Sequence, residues 1–152
     1  MLRRNRLSVV PGASSKPRYV VDDQVGFLMR IAMQRHTAIF MSRMVEGLTQ
    51  TQFAALAKLF EVGPCSQNHL GRLIYLDAAT IKGVVDRLRA RGLVTTSADR
   101  ADRRLRAVAL TDAGQRITKA AMLVATEITT ETLTPLTAEE QRTIVRLLKK
   151  LG

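Results

Sequence analysis

The chain has 152 residues and a hydrophobic fraction of 46%, which suits one globular domain with its own core. Its 24 lysines and arginines against 13 acids give a formal charge of +11, so a polyanion is the first partner to expect and an anionic membrane surface the second. No apolar run approaches the roughly 20 residues of a spanning helix, and a single cysteine excludes an internal disulfide. We therefore expect a cytoplasmic protein that does not enter a membrane.

Residues 1–18 are predicted to form a flexible basic arm, because they combine proline, glycine and serine with Arg3, Arg4, Arg6, Lys16 and Arg18 and contain no acid. Such an arm could attract phosphates without sequence preference, cross to a partner subunit, or serve only as a solubilising tail. Residues 19–152 are expected to form a single domain.

A long helix is predicted from Asp22 to about Glu46, because apolar residues recur along one broad face. His36 lies inside that face, where a histidine is either a hydrogen-bonded core residue or a ligand contact. Nearby cations and flexible methionines favour an adaptable pocket for a small molecule. The candidate ligand-binding residues are Arg30, Met33, Gln34, His36 and Phe40.

The next helix has a clear start signal. Thr49 and Gln52 are spaced for a capping box, and Leu48 with Phe53 for a hydrophobic staple. The side chains expected to face inward, before Gly63 and Pro64 end the helix, are Phe53, Leu56, Ala57 and Phe60.

Cys65 follows this helix, with His69 four positions later. A nucleophile and base pair is conceivable at that spacing, but the sequence offers no third orienting residue and no oxyanion site. A small buried apolar residue is the favoured interpretation of Cys65, and a thiol redox switch is the alternative.

Two short helices are predicted next. Ser66 can cap the first, which runs to about Tyr75, and Asp77 can cap the second. The second helix buries an apolar face and leaves an outer face that is small at first and then basic, as a helix entering the major groove requires. The buried set is Ile81, Val84, Val85 and Leu88, and the candidate DNA contacts are Gln67, Asn68, Ala79, Thr80, Lys82, Gly83 and Arg87.

A hairpin with a charged tip is predicted after Gly92, because strand-like Leu93–Thr96 is followed by the letters SADRADRR and by alternating residues from Leu105 to Leu110. Arginines on a narrow ribbon can enter the minor groove, which makes Arg100, Arg103 and Arg104 further candidate DNA contacts. We expect Asp102 to position Arg104 through a carboxylate pair. A solvated charge run is the alternative.

Two helices are predicted at the C-terminal end. Thr111 can cap one that runs to about Glu131, and Thr137 with Glu140 forms a capping box for the other. Neither has an obvious partner among the preceding short helices, so we expect them to join the first helix in an interface between two chains. The apolar stripe of the last helix consists of Ile144, Leu147, Leu148 and Leu151.

Asp102 and Arg104 at the hairpin tip are followed by Val108, Leu110, Thr111 and Gly114, and the second short helix ends in the letters VVDRLRARGLV. In these residues the chain resembles the MarR family of bacterial transcription regulators, and its helical layout matches that of the family from about Val21 to Leu151. The resemblance implies a mainly α fold with a small β-wing: a winged helix-turn-helix at 48–111, and N- and C-terminal dimerisation helices at 19–47 and 112–152. Ala78, Ala79 and Gly83 depart from the polar or basic residues of many relatives, so base contacts do not carry over directly.

The resemblance further implies a homodimer on a palindromic operator. It also implies an effector pocket between the dimerisation helices and the reading head, which consists of the two short helices and the hairpin. The segments DQVGFLMRIAMQRHTAIF and LTQTQFAALAKLFEVGPCSQNHLGRL resemble a subgroup that controls breakdown of aromatic and nicotinate-type acids. We therefore expect a repressor released from double-stranded DNA by a small aromatic or heteroaromatic acid. The alternatives are a non-specific nucleic-acid architectural protein and a redox-sensing regulator acting through Cys65. No catalytic residue, metal site or cofactor is expected.

Overall fold

The computed structural model describes residues 18–152, and residues 1–17 of the predicted basic arm lie outside the described part. The helices are α1 (Val25–Arg43), α2 (Gln50–Val62), α3 (Gln67–Leu73), α4 (Ala78–Ala90), α5 (Asp112–Leu133) and α6 (Ala138–Leu151). The strands are β1 (Cys65–Ser66), β2 (Val94–Ala98) and β3 (Arg106–Leu110), and short 3-10 turns occupy Val21–Asp23 and Val45–Gly47. The mainly helical fold with a small β-wing is confirmed.

The strands form one antiparallel sheet in the order β1-β3-β2. Strands β2 and β3 are the predicted hairpin, with Val94 opposite Leu110 and Ala98 opposite Arg106. Strand β1 was not predicted; it places Cys65 opposite Val108. The sheet thus ties the start of α3 to the base of the wing.

Side-chain caps begin each of the five helices from α2 to α6. The Thr49 hydroxyl accepts a hydrogen bond from the Gln52 backbone N–H, and the Gln52 side-chain oxygen accepts one from the Thr49 backbone N–H. Thr137 and Glu140 make the same reciprocal pair at α6. Ser66 and Thr111 accept from the third residue after each of them, as predicted.

The predicted first helix is interrupted near both ends. The turn at Val21–Asp23 is separated from α1 by the extended Gln24, and α1 ends before Met44, whose backbone is also extended. Glu46 then adopts a left-handed conformation with φ of 55°. The chain therefore turns sharply between α1 and α2, and the buried Met44 and Leu48 fill that corner.

The core lies where α2, α3, α4 and the sheet meet. Ile81, Val84, Val85 and Leu88 are all buried, as predicted. Helices α3 and α4 approach closely at Gly71, where an added Cβ would lie 3.0 Å from Cγ2 of Ile81. The turn between them passes through Tyr75, which is left-handed at φ 59° and exposed. The first short helix therefore ends at Leu73, before the predicted end at about Tyr75.

The sequence placed one apolar side chain on the wrong side of α2. Phe60 was expected to face inward, but it is 37% exposed and lies under the ammonium of Lys119. Ala55 and Leu59 are buried instead, because α5 and the sheet cover the adjacent side of α2.

The two C-terminal helices, predicted to join the first helix in an interface between chains, differ in their packing within the chain. Helix α5 packs against α1 and α2 and buries Thr118, Ala121 and Ile128. Helix α6 makes no comparable packing contact with the rest of residues 18–152 and buries none of its residues. Its apolar stripe is open, as is the N-terminal half of α1, where Val25 is 67% exposed.

No helix within residues 18–152 is long and apolar enough to cross a membrane.

Candidate nucleic-acid interface and ligand pocket

The second short helix, α4, has a fixed N-terminus and an open outer face. The Asp77 carboxylate accepts a hydrogen bond of 2.7 Å from the Thr80 backbone, and hydrogen bonds from the backbone and hydroxyl of Thr80 hold the pKa of Asp77 below its usual value. Beyond this cap, Ala79, Thr80, Lys82 and Arg87 are exposed. The helix thus presents a small surface followed by cations.

Gly83 lies at the middle of that outer face. An added Cβ there would meet only the guanidinium of Arg87, at an ordinary distance of 3.5 Å. No helix within residues 18–152 requires a glycine here, so the small size of Gly83 serves either an external partner or no packing purpose.

Gln67 and Asn68 occupy the first turn of α3, directly after β1. Asn68 is exposed and Gln67 is half-buried. Ser66 caps this turn by accepting a hydrogen bond of 3.2 Å from the His69 backbone. The turn is therefore ordered, with its polar side chains at the surface.

The wing tip is held by two aspartates. Asp99 accepts hydrogen bonds from the backbones of Ala101 and Asp102. The Asp102 Oδ1 accepts from the Arg104 backbone at 3.0 Å and lies 3.4 Å from Arg104 Nε. The Arg104 side chain is nevertheless 93% exposed. Asp102 thus contacts both the backbone and Nε of Arg104, while most of the guanidinium stays open to solvent.

Arg100 and Arg103 are also exposed at the tip. Together with Arg104 they make the end of the hairpin strongly cationic, while Asp99 and Asp102 are occupied by hydrogen bonds within the loop.

A polar network that was not predicted from the sequence joins α4 to the wing. Asp86 lies 2.7 Å from Lys82 Nζ and 3.5 Å from an Arg89 nitrogen. Arg89 and Arg106 each donate to the Thr96 hydroxyl on β2. The hydrogen bond from Lys82, with the charges of Lys82, Arg89 and Arg106, lowers the pKa of the Asp86 carboxyl. The pairing of Lys82 with Asp86 could be predicted from their spacing of four residues on one helix. The connection to the wing through Thr96 could not, because it depends on tertiary packing.

A second polar cluster that was not predicted joins α1 to the end of α5. Arg35 donates to the backbone carbonyls of Glu131 and Thr132, which lie in the last turn of α5. His36 Nδ1 lies 2.9 Å from the Thr132 hydroxyl, and Arg43 Nε lies 2.5 Å from a Glu131 carboxylate oxygen. These contacts fix α1 against α5.

A cavity of about 250 Å³ lies beside His36, between α1, α2 and α5. The His36 and Phe40 rings are 6.3 Å apart at one wall. The remaining lining residues are Gln50, Phe53, Ala125, Ile128 and Thr129. A cavity of about 370 Å³ on the α2 side of α1 also has Phe40 in its wall, with Met41, Met44 and Thr37.

Of the five candidate ligand residues, the structure brings only His36 and Phe40 together at a cavity. Arg30, Met33 and Gln34 are exposed on α1 and line neither cavity. The Arg30 guanidinium lies 5.1 Å from the centre of the Phe27 ring. Gln50 was missed, because its place depends on the turn between α1 and α2.

Cys65 is half-buried in β1, and burial raises the pKa of its thiol. A raised thiol pKa disfavours the reactive thiolate. His69 is exposed on α3. Within residues 18–152, no cluster of His, Cys, Asp or Glu side chains could hold a metal ion.

Comparison with known proteins identifies similar chains. The MarR family model matches residues 48–105. The HTH-type transcriptional repressor NicR of Pseudomonas putida is 42% identical over 134 residues, which are 88% of this chain and 85% of NicR.

Two solved structures are similar over most of the chain. A probable transcriptional regulator from Pseudomonas aeruginosa is 50% identical with a TM-score of 0.85, covering 88% of this chain and 100% of the other. Bordetella bronchiseptica BpsR, whose DNA binding is regulated by 6-hydroxynicotinic acid, is 39% identical with a TM-score of 0.84, covering 88% of this chain and 96% of the other.

Proposed function

The chain belongs to the MarR family of transcriptional regulators, and we propose that it is a homodimeric repressor that a small aromatic acid releases from a palindromic operator. The DNA-binding part of the proposal is supported by α4, whose outer face is small and then basic, and by the neighbouring arginine-tipped wing formed by β2 and β3. A protein with this function acts where a bacterium keeps its DNA, in the cytoplasm. It is not an enzyme.

The DNA contacts divide by chemistry. Ala79, Thr80 and Gly83 allow α4 to approach base edges, and Lys82 donates to bases near the groove centre. Arg87 meets phosphate, which fixes position without reading sequence. The residues that complete the interface are Gln67 and Asn68 on α3 and Arg100, Arg103 and Arg104 on the wing.

Helices α1 and α6 form the interface between the two chains, and α5 contributes to it. Their open apolar residues include Val25, Leu28 and Met29 on α1 and Leu147 and Leu148 on α6. Open apolar surface of this extent on two long helices is typical of an interface between chains. Two-fold symmetry then sets two copies of α4 about 34 Å apart, one turn of DNA, and requires a palindromic site.

The effector is an aromatic or heteroaromatic acid that occupies the cavity beside His36. The Phe40 and Phe53 rings supply apolar walls, and His36 and Gln50 supply polar groups. The regulation of the similar BpsR by 6-hydroxynicotinic acid makes that compound the first to test. Arg30, Met33 and Gln34 would join the pocket only if the partner chain or the bound acid brings them to it.

Two alternatives make different predictions. An architectural protein would bind all DNA alike, using charge alone. A redox regulator would depend on Cys65, but the raised thiol pKa argues against ready oxidation. We expect Cys65→Ser to bind and release DNA as the wild type does, with or without peroxide.

The deciding experiment is to sequence the fragments of the source genome that the purified protein retains. We expect a few enriched regions that share a palindrome with half-sites one helical turn apart, and 6-hydroxynicotinic acid should elute them. Retained fragments that match the input in composition would favour the architectural alternative. The genes beside an enriched palindrome would also indicate the effector.

A further inference from the structure

Helix α4 contains one acid, Asp86, on a face that is otherwise small or basic. Asp86 follows Ala79 and Gly83 at helical spacing, on the side opposite the buried Ile81 and Val85. It therefore belongs to the surface that we propose meets DNA. A carboxylate facing a polyanion opposes binding, so its presence there needs a reason.

Asp86 holds two cations of this surface. Lys82 Nζ lies 2.7 Å from one carboxylate oxygen, and an Arg89 nitrogen lies 3.5 Å from the other. Arg89 also donates to Thr96 on the wing. The Lys82 and Arg89 side chains are 67% and 49% exposed, so both could move to a phosphate if Asp86 did not hold them.

Specific and non-specific complexes respond differently to such a carboxylate. Non-specific affinity comes almost entirely from cations that neutralise phosphates, so an acid that occupies Lys82 and repels the backbone subtracts from it directly. An operator complex also gains base contacts, which benefit from a Lys82 that is already oriented. Asp86 therefore weakens the non-specific complex more than the operator complex. A repulsive group that acts in this way increases specificity.

We propose that Asp86 is a specificity-determining residue, which holds Lys82 and Arg89 and thereby suppresses binding to DNA that lacks the operator sequence. The proposal rests on the proposed function, because it requires an operator that the protein prefers. Removing the charge of Asp86 should raise the affinity for DNA and lower the preference for the operator over other sequences.

The test compares wild type with Asp86→Asn on two duplexes: one selected by wild type from a randomised library, and one with the same bases shuffled. Fluorescence anisotropy over a series of salt concentrations gives both affinities. We expect affinity for the shuffled duplex to rise about threefold to tenfold, with a salt slope steeper by about one unit. Affinity for the selected duplex should rise less, so the ratio of the two affinities falls.

A matched control is Glu61→Gln, which removes a more exposed acid that pairs with Lys58 on α2, at 2.8 Å. It has the same charge change and should leave the affinity ratio unchanged. In a Lys82→Gln background, Asp86→Asn should alter the ratio much less than it does alone. Asp86→Ser provides a second uncharged variant if the amide variant folds poorly.

An affinity ratio that is unchanged or higher in Asp86→Asn would overturn the proposal. So would a fall of the same size in the Lys82→Gln background or in the Glu61→Gln control. If wild type enriches no sequence from the randomised library, the proposed function fails, and the role of Asp86 fails with it. A normal enrichment by wild type with an unaltered ratio in the variant rejects the role of Asp86 alone.

Discussion

Asp102 and Arg104 at the wing tip have opposite charges, yet losing either should weaken operator binding. Arg104→Ala removes an exposed guanidinium, and we expect a loss of about 1 to 3 kcal/mol. Asp102→Ala makes the surface more positive, which by itself favours DNA, but it also removes the acceptor of the Arg104 backbone and Nε. We expect that loss of position to outweigh the gained charge. Titration at one fixed salt concentration measures both effects.

Arg142→Ala is the control for these wing variants, because Arg142 is an exposed arginine on α6 rather than on the reading head. It should change operator affinity little. Tighter binding by Asp102→Ala would show that the acid is only a repulsive charge. Unchanged affinity in Arg104→Ala would remove that arginine from the interface.

Gly114 is required by a close approach between α5 and the backbone of Leu93, which directly precedes β2. A Cβ at this position would lie 1.9 Å from the Leu93 carbonyl oxygen, which is backbone and cannot swing away. We expect Gly114→Ala to lower the free energy of unfolding by several kcal/mol. Urea denaturation measures the difference.

Gly83→Ala is the matched control for this glycine, because its Cβ would meet only a flexible guanidinium. Alanine in a helix interior is favoured over glycine by roughly 1 kcal/mol, so this variant should be as stable as wild type or more stable. Equal stability of the two variants would mean that α5 can shift away from Leu93 without cost.

At the scale of whole elements, local signals predicted helix starts well and tertiary packing poorly. The caps at Thr49, Asp77 and Thr137 involve residues three positions apart, so the sequence contains the complete interaction. Strand β1 exists only because Cys65 pairs with the distant Val108. No local pattern marks a two-residue strand of this kind.

The candidate site shows the same division. The outer face of α4 follows from its own periodicity, so exposed Thr80, Lys82 and Arg87 could be read from the sequence. The cavity depends on how α1, α2 and α5 pack together, so the sequence could supply His36 but missed Gln50. Arg30 was predicted to contact the ligand because a guanidinium can bind a carboxylate, but its guanidinium lies over the Phe27 ring.

Helix α6 should determine the oligomeric state. Its apolar stripe is open, and Leu147 is 45% exposed. Leu147→Asp would place an unpaired charge in an apolar seam between chains, at a cost of several kcal/mol. We expect sedimentation to show monomers and operator binding to collapse, because one chain supplies only one half-site contact.

Lys149→Asp adds the same carboxylate to the polar side of α6 and should leave the dimer intact. If Leu147→Asp remains dimeric, the chains meet through another surface. If both variants dissociate, the effect comes from charge on the helix rather than from the apolar stripe.

At the scale of the whole molecule, α5 connects the reading head to α1. At its start, the Thr111 hydroxyl donates to the Gly92 carbonyl, 2.6 Å away, directly after α4. At its end, Arg35 and His36 of α1 bond its last turn. The cavity beside His36 borders this connection. A bound acid there can change the spacing of the reading heads only if it prefers one spacing over another.

His36→Ala should keep operator binding and lose the response to 6-hydroxynicotinic acid. The imidazole offers a donor or acceptor at the cavity wall, beside the apolar Phe40 and Phe53, so its loss removes a polar contact that orients the acid. A tenfold release of DNA needs only about 1.4 kcal/mol of preference between the two spacings, which one polar contact can supply. Anisotropy titrations of the operator complex with the acid measure the response.

His36 also contacts Thr132, so a lost response could reflect a loosened α1 rather than a lost ligand contact. Thr132→Val separates the two, because it removes the hydroxyl 2.9 Å from Nδ1 and leaves the imidazole at the cavity. If His36 contacts the ligand, Thr132→Val should respond to the acid nearly as wild type does. Loss of response in both variants would instead make His36 a structural link between α1 and α5. A normal response in His36→Ala would place the ligand elsewhere, and the cavity on the α2 side of α1 would be the next to test.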